Sequence, residues 1–137
     1  MAPTVLIVDD ETLLLRTLSN AVRDAGYEVV VASNAEQGST LLRDRTVDLM
    51  VLDIKLPGRS GLDLLEQERA RGYEGPAIVM TAFDSQDSEG RCRRLGVDRY
   101  VRKPFDLGTM LGLVQTLLQG RGHSSGSSVK GIHGDLA

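Results

Sequence analysis

The 137-residue chain holds one cysteine and two histidines, and each scarcity removes a class of chemistry. With Cys92 alone there can be no intrachain disulfide and no multi-cysteine zinc site, and a reducing cytoplasm is the expected compartment. His123 and His133 both fall in the last 15 residues. The region before them therefore cannot run Ser-His-Asp or Cys-His chemistry, build a histidine zinc site or carry a phosphohistidine. No apolar run approaches the ~18–20 residues of a membrane span, and the N-terminus lacks the basic and apolar regions of a signal peptide. Membrane contact is not expected. A net charge of −3 gives no basic excess, so direct nucleic-acid binding is not expected either.

What the chain has is a set of short apolar runs that stop at reactive groups. Val5-Leu6-Ile7-Val8 stops at Asp9-Asp10, and Leu49-Met50-Val51-Leu52 stops at Asp53. Ala77-Ile78-Val79-Met80 stops at Thr81, and Tyr100-Val101-Arg102 stops at Lys103-Pro104. Continuous apolar runs of this length read as strands buried on both faces of a parallel sheet. Ligands of such sheets bind beyond the carboxyl ends of the strands. Carboxylates, a hydroxyl and an ammonium therefore converge on one edge, a set suited to a hard divalent cation and a phosphoryl group.

Strands expected at 4–8, 27–32, 47–52, 76–80 and 98–102 alternate with helices at 12–25, 34–44, 61–70, 84–95 and 106–119. Leu14, Leu18, Ala21, Val22 and Ala25 form the apolar face of the first helix, and Gly26 ends it. Asn34 and Asp106 are N-cap candidates. Leu62, Leu64 and Leu65 are core candidates of the third helix. Leu107, Met110, Leu111, Val114, Leu117 and Leu118 give the last helix a broad apolar face. Five βα repeats in one domain imply a doubly wound α/β fold, flavodoxin-like, with a five-stranded parallel sheet in the order 2-1-3-4-5 and five helices. That order makes the first and third strands neighbours, which sets Asp9, Asp10 and Asp53 side by side. The expected domain is 1–119. Residues 120–137, rich in Gly and Ser, have too little apolar surface to offset their ordering entropy and read as a flexible linker or an appended tail.

Carboxylates within ~4 Å repel by roughly 4 kcal/mol per pair at an effective dielectric of ~20, so the cluster must hold a proton or a cation. Magnesium, which takes oxygen ligands and keeps several waters, suits it. Asp9-Asp10-Glu11 alone reads equally well as a strand end with acids at a helix start; Asp53 at the same edge tips the balance.

Asp53 continues into Ile54-Lys55-Leu56-Pro57-Gly58-Arg59-Ser60-Gly61. This pattern resembles the phosphoacceptor loop of bacterial response-regulator receiver domains, of the chemotaxis-receiver kind. Asp9-Asp10, Thr81-Ala82 and Lys103-Pro104-Phe105 match the same family in order, across residues 4–119. The resemblance implies that Asp53 takes a phosphoryl group from the phosphohistidine of a sensor histidine kinase. It implies Mg2+ on Asp10, Asp53 and the backbone carbonyl of Lys55, with Asp9 acting through water. It makes Lys103, joined to the following Pro104 by a cis peptide bond, and Thr81 the groups that meet the phosphoryl oxygens. Tyr100 corresponds to the switch aromatic that turns inward with the threonine. The implied partners are the kinase and a downstream output domain or partner protein. A receiver dimer through the fourth helix, fifth strand and fifth helix is a further expectation. The chain is then a signalling module and no turnover enzyme.

Some residues depart from the family pattern. Ser60 stands where Asp or Asn is usual, and Val97 where Ala is usual. The fourth helix has few apolar anchors, Cys92 and Leu95 being the clearest, and Gly90 within it costs about 1 kcal/mol against alanine. It is expected to be short, frayed or mobile. Arg91, Arg93, Arg94, Arg99 and Arg102 read either as a solvated face or as a docking surface for an acidic partner. Lys55 and Phe83 flank the path of a hydrolytic water and favour a long-lived phosphoryl group. Two other classes fit less well. A haloacid-dehalogenase-type phosphohydrolase needs two aspartates two residues apart after the first strand. A flavin carrier needs a Ser/Thr/Gly-rich phosphate loop there, and Asp9-Asp10 would repel the phosphate.

Overall fold

The computed structural model describes residues 2–82 and 85–119. Ten elements alternate: β1 (Thr4–Val8), α1 (Thr12–Asp24), β2 (Glu28–Ala32), α2 (Ala35–Asp44), β3 (Leu49–Asp53), α3 (Gly61–Ala70), β4 (Ala77–Thr81), α4 (Gln86–Arg94), β5 (Arg99–Arg102) and α5 (Leu107–Gln119). The strands form one parallel sheet in the order β2-β1-β3-β4-β5, as the repeat pattern predicts.

Side chains alternate across the sheet, and two cores result. On one face Leu6, Val8, Met50, Leu52, Val79 and Tyr100 meet Ala35 of α2, Leu62, Leu64 and Leu65 of α3, and Cys92 of α4. On the other, Val5, Ile7, Leu49, Val51, Ile78 and Met80 meet Leu18 and Val22 of α1 and Met110, Val114 and Leu118 of α5. The uninterrupted apolar runs of β1, β3 and β4 follow from this two-sided cover.

The caps explain where the helices begin and end. Asn34 accepts a hydrogen bond from the Gln37 amide at 2.8 Å, and Asp106 accepts one from the Thr109 amide at 2.9 Å. Gly26 and Gly96, with φ of 103° and 71°, end α1 and α4 in the left-handed region that favours glycine. Ala25 is exposed rather than part of the α1 stripe, because it is the C-cap and the chain is already turning. In the first turn of α1, Leu15 packs against the core beside Leu18 and Val22. β3 and β4 each reach one residue further than expected, to Asp53 and Thr81, because the ladder continues: Asp53 pairs with Met80 and Thr81 with Arg102. Ser85 caps α4 through the Ser88 amide. Asp84, Phe83 and the 120–137 tail lie outside the described residues.

Candidate functional site

In the β1–β3 register Val8 stands beside Leu52, so the next step brings Asp9 next to Asp53. Asp9 is fully buried and Asp53 is 4% exposed, whereas Asp10 is exposed. Carboxylate oxygens of Asp9, Asp10 and Asp53 lie within 4.8 Å of one another. Sheet order alone assembles them, from positions 44 residues apart in the chain.

Lys103 completes the group. It follows β5, is joined to Pro104 by a cis peptide bond, and donates its backbone N–H to the Thr81 carbonyl at 2.7 Å. Its ammonium donates to Asp9 Oδ2 at 2.7 Å, to Glu11 Oε1 at 2.8 Å and to Asp53 Oδ2 at 3.1 Å. Asp53 Oδ1 accepts from the Lys55 amide at 3.3 Å, and Asp9 Oδ1 from the Glu11 amide at 2.9 Å. Burial pushes the Asp53 carboxyl above its ordinary range, the charge of Asp9 adds to this, and the bond from Lys103 opposes both. Burial alone would lower Lys103, but its bonds to Asp9, Glu11 and Asp53 outweigh that and hold the ammonium above the usual lysine range. The resting site is thus one ammonium shared among three carboxylates, with a fourth at the mouth.

Such a site suits a hard cation. All its acidic donors are oxygens, they come from the ends of two adjacent strands, and their mutual distances let one small ion meet them together. Thr81 is 2% exposed at the end of β4, on the same edge. Tyr100 is fully buried among Val79, Cys92 and Val97 in the α2/α3/α4 core, deeper than a half-covered strand tyrosine.

A receiver-domain model of response regulators matches residues 5–115. The chain belongs to the response regulator receiver domain family. Three solved receivers give the scale of the likeness. A CheY-like response regulator receiver domain protein from Methanospirillum hungatei JF-1 is 28% identical, with a TM-score of 0.85, covering 89% of this chain and 98% of that one. Chemotaxis protein CheY4 of Vibrio cholerae is 25% identical, TM-score 0.81, covering 86% and 100%. A BeF3-activated DrrB receiver domain is also 25% identical, TM-score 0.77, covering 87% and 99%.

Within this receiver domain three features escaped the sequence reading. Glu11 joins Lys103, a contact across 92 residues. Ser60 is the N-cap of α3, in a reciprocal capping box with Asp63, which gives the serine at this position a definite job. The arginine cluster is not one continuous face. Arg91 turns to α3 and pairs with Asp63 and Glu66, both at 2.7 Å, and Arg99 bonds the Asp98 carbonyl at 2.9 Å. Arg93, Arg94 and Arg102 are exposed. The signal for the Arg91 pairing was present in sequence only as acids on α3 and a base on α4.

Proposed function

We propose that this receiver domain is the magnesium-dependent phosphoacceptor switch of a two-component system, with Asp53 as the residue phosphorylated. The observation that carries the reading is the shared ammonium: Lys103 bridges Asp9 and Asp53 at the mouth of a three-aspartate cluster. An Asp53 carboxylate oxygen attacks the phosphorus of a kinase phosphohistidine. The P–N bond breaks, the imidazole leaves, and an acyl phosphate forms on Asp53. Lys103 would donate to the phosphoryl oxygens as a point charge, and Thr81, the last residue of β4 on the same sheet edge, would offer them its hydroxyl. Asp10, Asp53 and the Lys55 carbonyl would hold magnesium directly and Asp9 through water, and magnesium held there would supply positive charge to offset that of the phosphoryl oxygens.

The acyl phosphate replaces a carboxylate by a group of about −1.5 to −2 charge. Thr81 and Lys103 lie on β4 and after β5, so the elements able to respond are α4 and β5. Output through the α4-β5-α5 face would present Arg93, Arg94 and Arg102 to an output domain, a partner protein or a second receiver. Residues 1–119 serve as the switch and 120–137 as a linker or tail. The protein is a signalling module that assists its own phosphorylation and hydrolysis rather than a turnover enzyme.

Incubation with magnesium and acetyl phosphate should add one phosphoryl group to the intact protein, lost on alkaline hydrolysis and absent in Asp53→Asn. A phosphoryl group retained in that variant would reject Asp53 as the acceptor. Reversing the charge of Arg93 and Arg94 should weaken binding of an acidic partner or phosphorylation-dependent self-association. Unchanged affinities would remove this face from the output.

A further inference from the structure

Glu11 stands at the N-cap of α1, with φ −84° and ψ 105°, yet its side chain makes no capping bond. Ser, Thr, Asp or Asn would be the usual choice there, since their short side chains reach the free amides of the first turn. The other caps follow that rule: Asn34, Ser60, Ser85 and Asp106 all accept from their own first turns. Glu11 instead reaches across to Lys103, 2.8 Å from its ammonium. Its local ties are made by the backbone alone: the N–H donates to Asp9 Oδ1 and the carbonyl accepts from the Leu15 amide. A helix start that forgoes its cap to hold a residue of the reactive site is the kind of local exception that marks function.

An ammonium has three protons to give. Those of Lys103 go to Asp9, Glu11 and Asp53. A phosphoryl oxygen arriving at Asp53 can gain a bond from Lys103 only if one of these acceptors releases it. Asp9 is fully buried and its side chain is held on both oxygens. The Glu11 carboxylate is 62% exposed, with Lys103 as its partner, and water can replace that partner at little cost. Esterification neutralises the Asp53 carboxyl and loosens its own bond to Lys103; of the two acceptors that keep their charge, Glu11 is therefore the one that yields.

We propose that Glu11 is a positioning residue that competes with the phosphoryl group for Lys103. It keeps the ammonium fixed in the resting site and sets how readily the ammonium turns to an incoming phosphoryl oxygen. This rests on Asp53 being the phosphoacceptor. It requires reach as well as charge, because the carboxylate must span from the start of α1 to the residue after β5.

Two variants separate these requirements. Glu11→Gln removes the charge, while Glu11→Asp keeps it on an arm one methylene shorter. In the metal-free protein, 15N–1H spectra of the lysine ammonium groups should show a slowly exchanging Lys103 signal. It should broaden in both variants. At saturating magnesium, the dissociation constant for beryllofluoride should fall about two- to fivefold in both, the range an exposed ion pair can contribute. An unchanged Lys103 signal or an unchanged beryllofluoride constant in Glu11→Gln would overturn the proposal. So would Glu11→Asp matching the wild type, since charge near the site would then suffice. A wild-type protein that fails to bind beryllofluoride through Asp53, judged against Asp53→Asn, would overturn this proposal and the phosphoacceptor reading together. Wild-type binding with an unaffected Glu11→Gln would overturn this one alone.

Discussion

At Gly61 the chain has no room for a side chain. This first residue of α3 donates its N–H to the Ile54 carbonyl at 2.9 Å, and a carbon added there would collide with the backbone carbonyl of Asp53. Its neighbour is backbone and cannot rotate aside. Gly61→Ala must therefore push α3 away from the β3 end or bend the loop that carries Asp53. Overpacking of this kind costs about 1–3 kcal/mol, and thermal denaturation should show the loss. The same substitution should also displace the Asp53 and Lys55 amide signals, which a remote glycine such as Gly112, with open space around it, would leave in place. Ser60 next to it shows how chemistry outlasts identity. The position needs an oxygen that caps α3, and serine supplies one as well as the Asp or Asn more usual in the family.

Charged straps, more than apolar packing, hold α4 to its neighbour. Cys92 is the buried residue of this nine-residue helix, and burial pushes its thiol up to about 12, so it serves as a small hydrophobe. In the second half of α4, Arg91 reaches Asp63 and Glu66 of α3. About one turn further on, Arg69 of α3 donates to the Leu95 and Gly96 carbonyls that close α4, and to the Tyr73 and Gly75 carbonyls. The bond from Arg91 holds the Asp63 carboxyl below its ordinary range. A carboxyl depressed in the folded state contributes stability that is fully present above the ordinary carboxylate value. That contribution is lost as pH falls through the folded value. Acid should therefore loosen α4 below about pH 4, and Arg91→Gln should remove this part of the pH dependence. Amide exchange at Leu95 and Gly96, whose N–H groups close on Arg91 and Arg93, is the measurement. Arg69→Met should cost about 2–3 kcal/mol, as expected for hydrogen bonds made by a charged donor, and should speed exchange at Leu95, Gly96 and Val97 beyond the global change. Unaltered exchange there would show that Cys92 alone anchors the helix. Sequence made the weak apolar anchoring of α4 legible, because burial follows periodicity. It could not show the straps, since Arg69 and Arg91 pair across 25 to 28 residues with carbonyls and acids that any helix surface might offer.

Across the whole molecule the sheet separates two kinds of information. Strand ends were readable because each apolar run carries its reactive residue beside it, and β1–β3 adjacency then fixes the aspartates without further detail. Glu11 was not readable, since its choice between capping α1 and reaching Lys103 depends on where β5 ends. The resulting site places four carboxylates, Asp9, Asp10, Glu11 and Asp53, around one ammonium, and two of them are buried. Each carboxylate pair at ~4 Å opposes folding by roughly 4 kcal/mol at an effective dielectric of ~20 before the lysine is counted. The fold tolerates this because the cores on both faces of the sheet lie beneath the site and do not include it. A cation that binds the folded cluster, and not the unfolded chain, must then raise stability by mass action. At a hundredfold excess over its dissociation constant the gain is about 2.7 kcal/mol. Magnesium should thus raise the melting temperature relative to EDTA, and Asp10→Asn should shrink that rise without lowering the metal-free value, because Asp10 is exposed and its charge only adds to the repulsion. Asp53→Asn should raise the metal-free melting temperature, since it relieves Asp9 at the buried end of the cluster and leaves Lys103 its bonds to Asp9 and Glu11. Calorimetry on the three proteins, with and without the ion, checks both outcomes. A metal-free Asp53→Asn less stable than the wild type would mean that the Lys103–Asp53 bond outweighs the repulsion the site is built around.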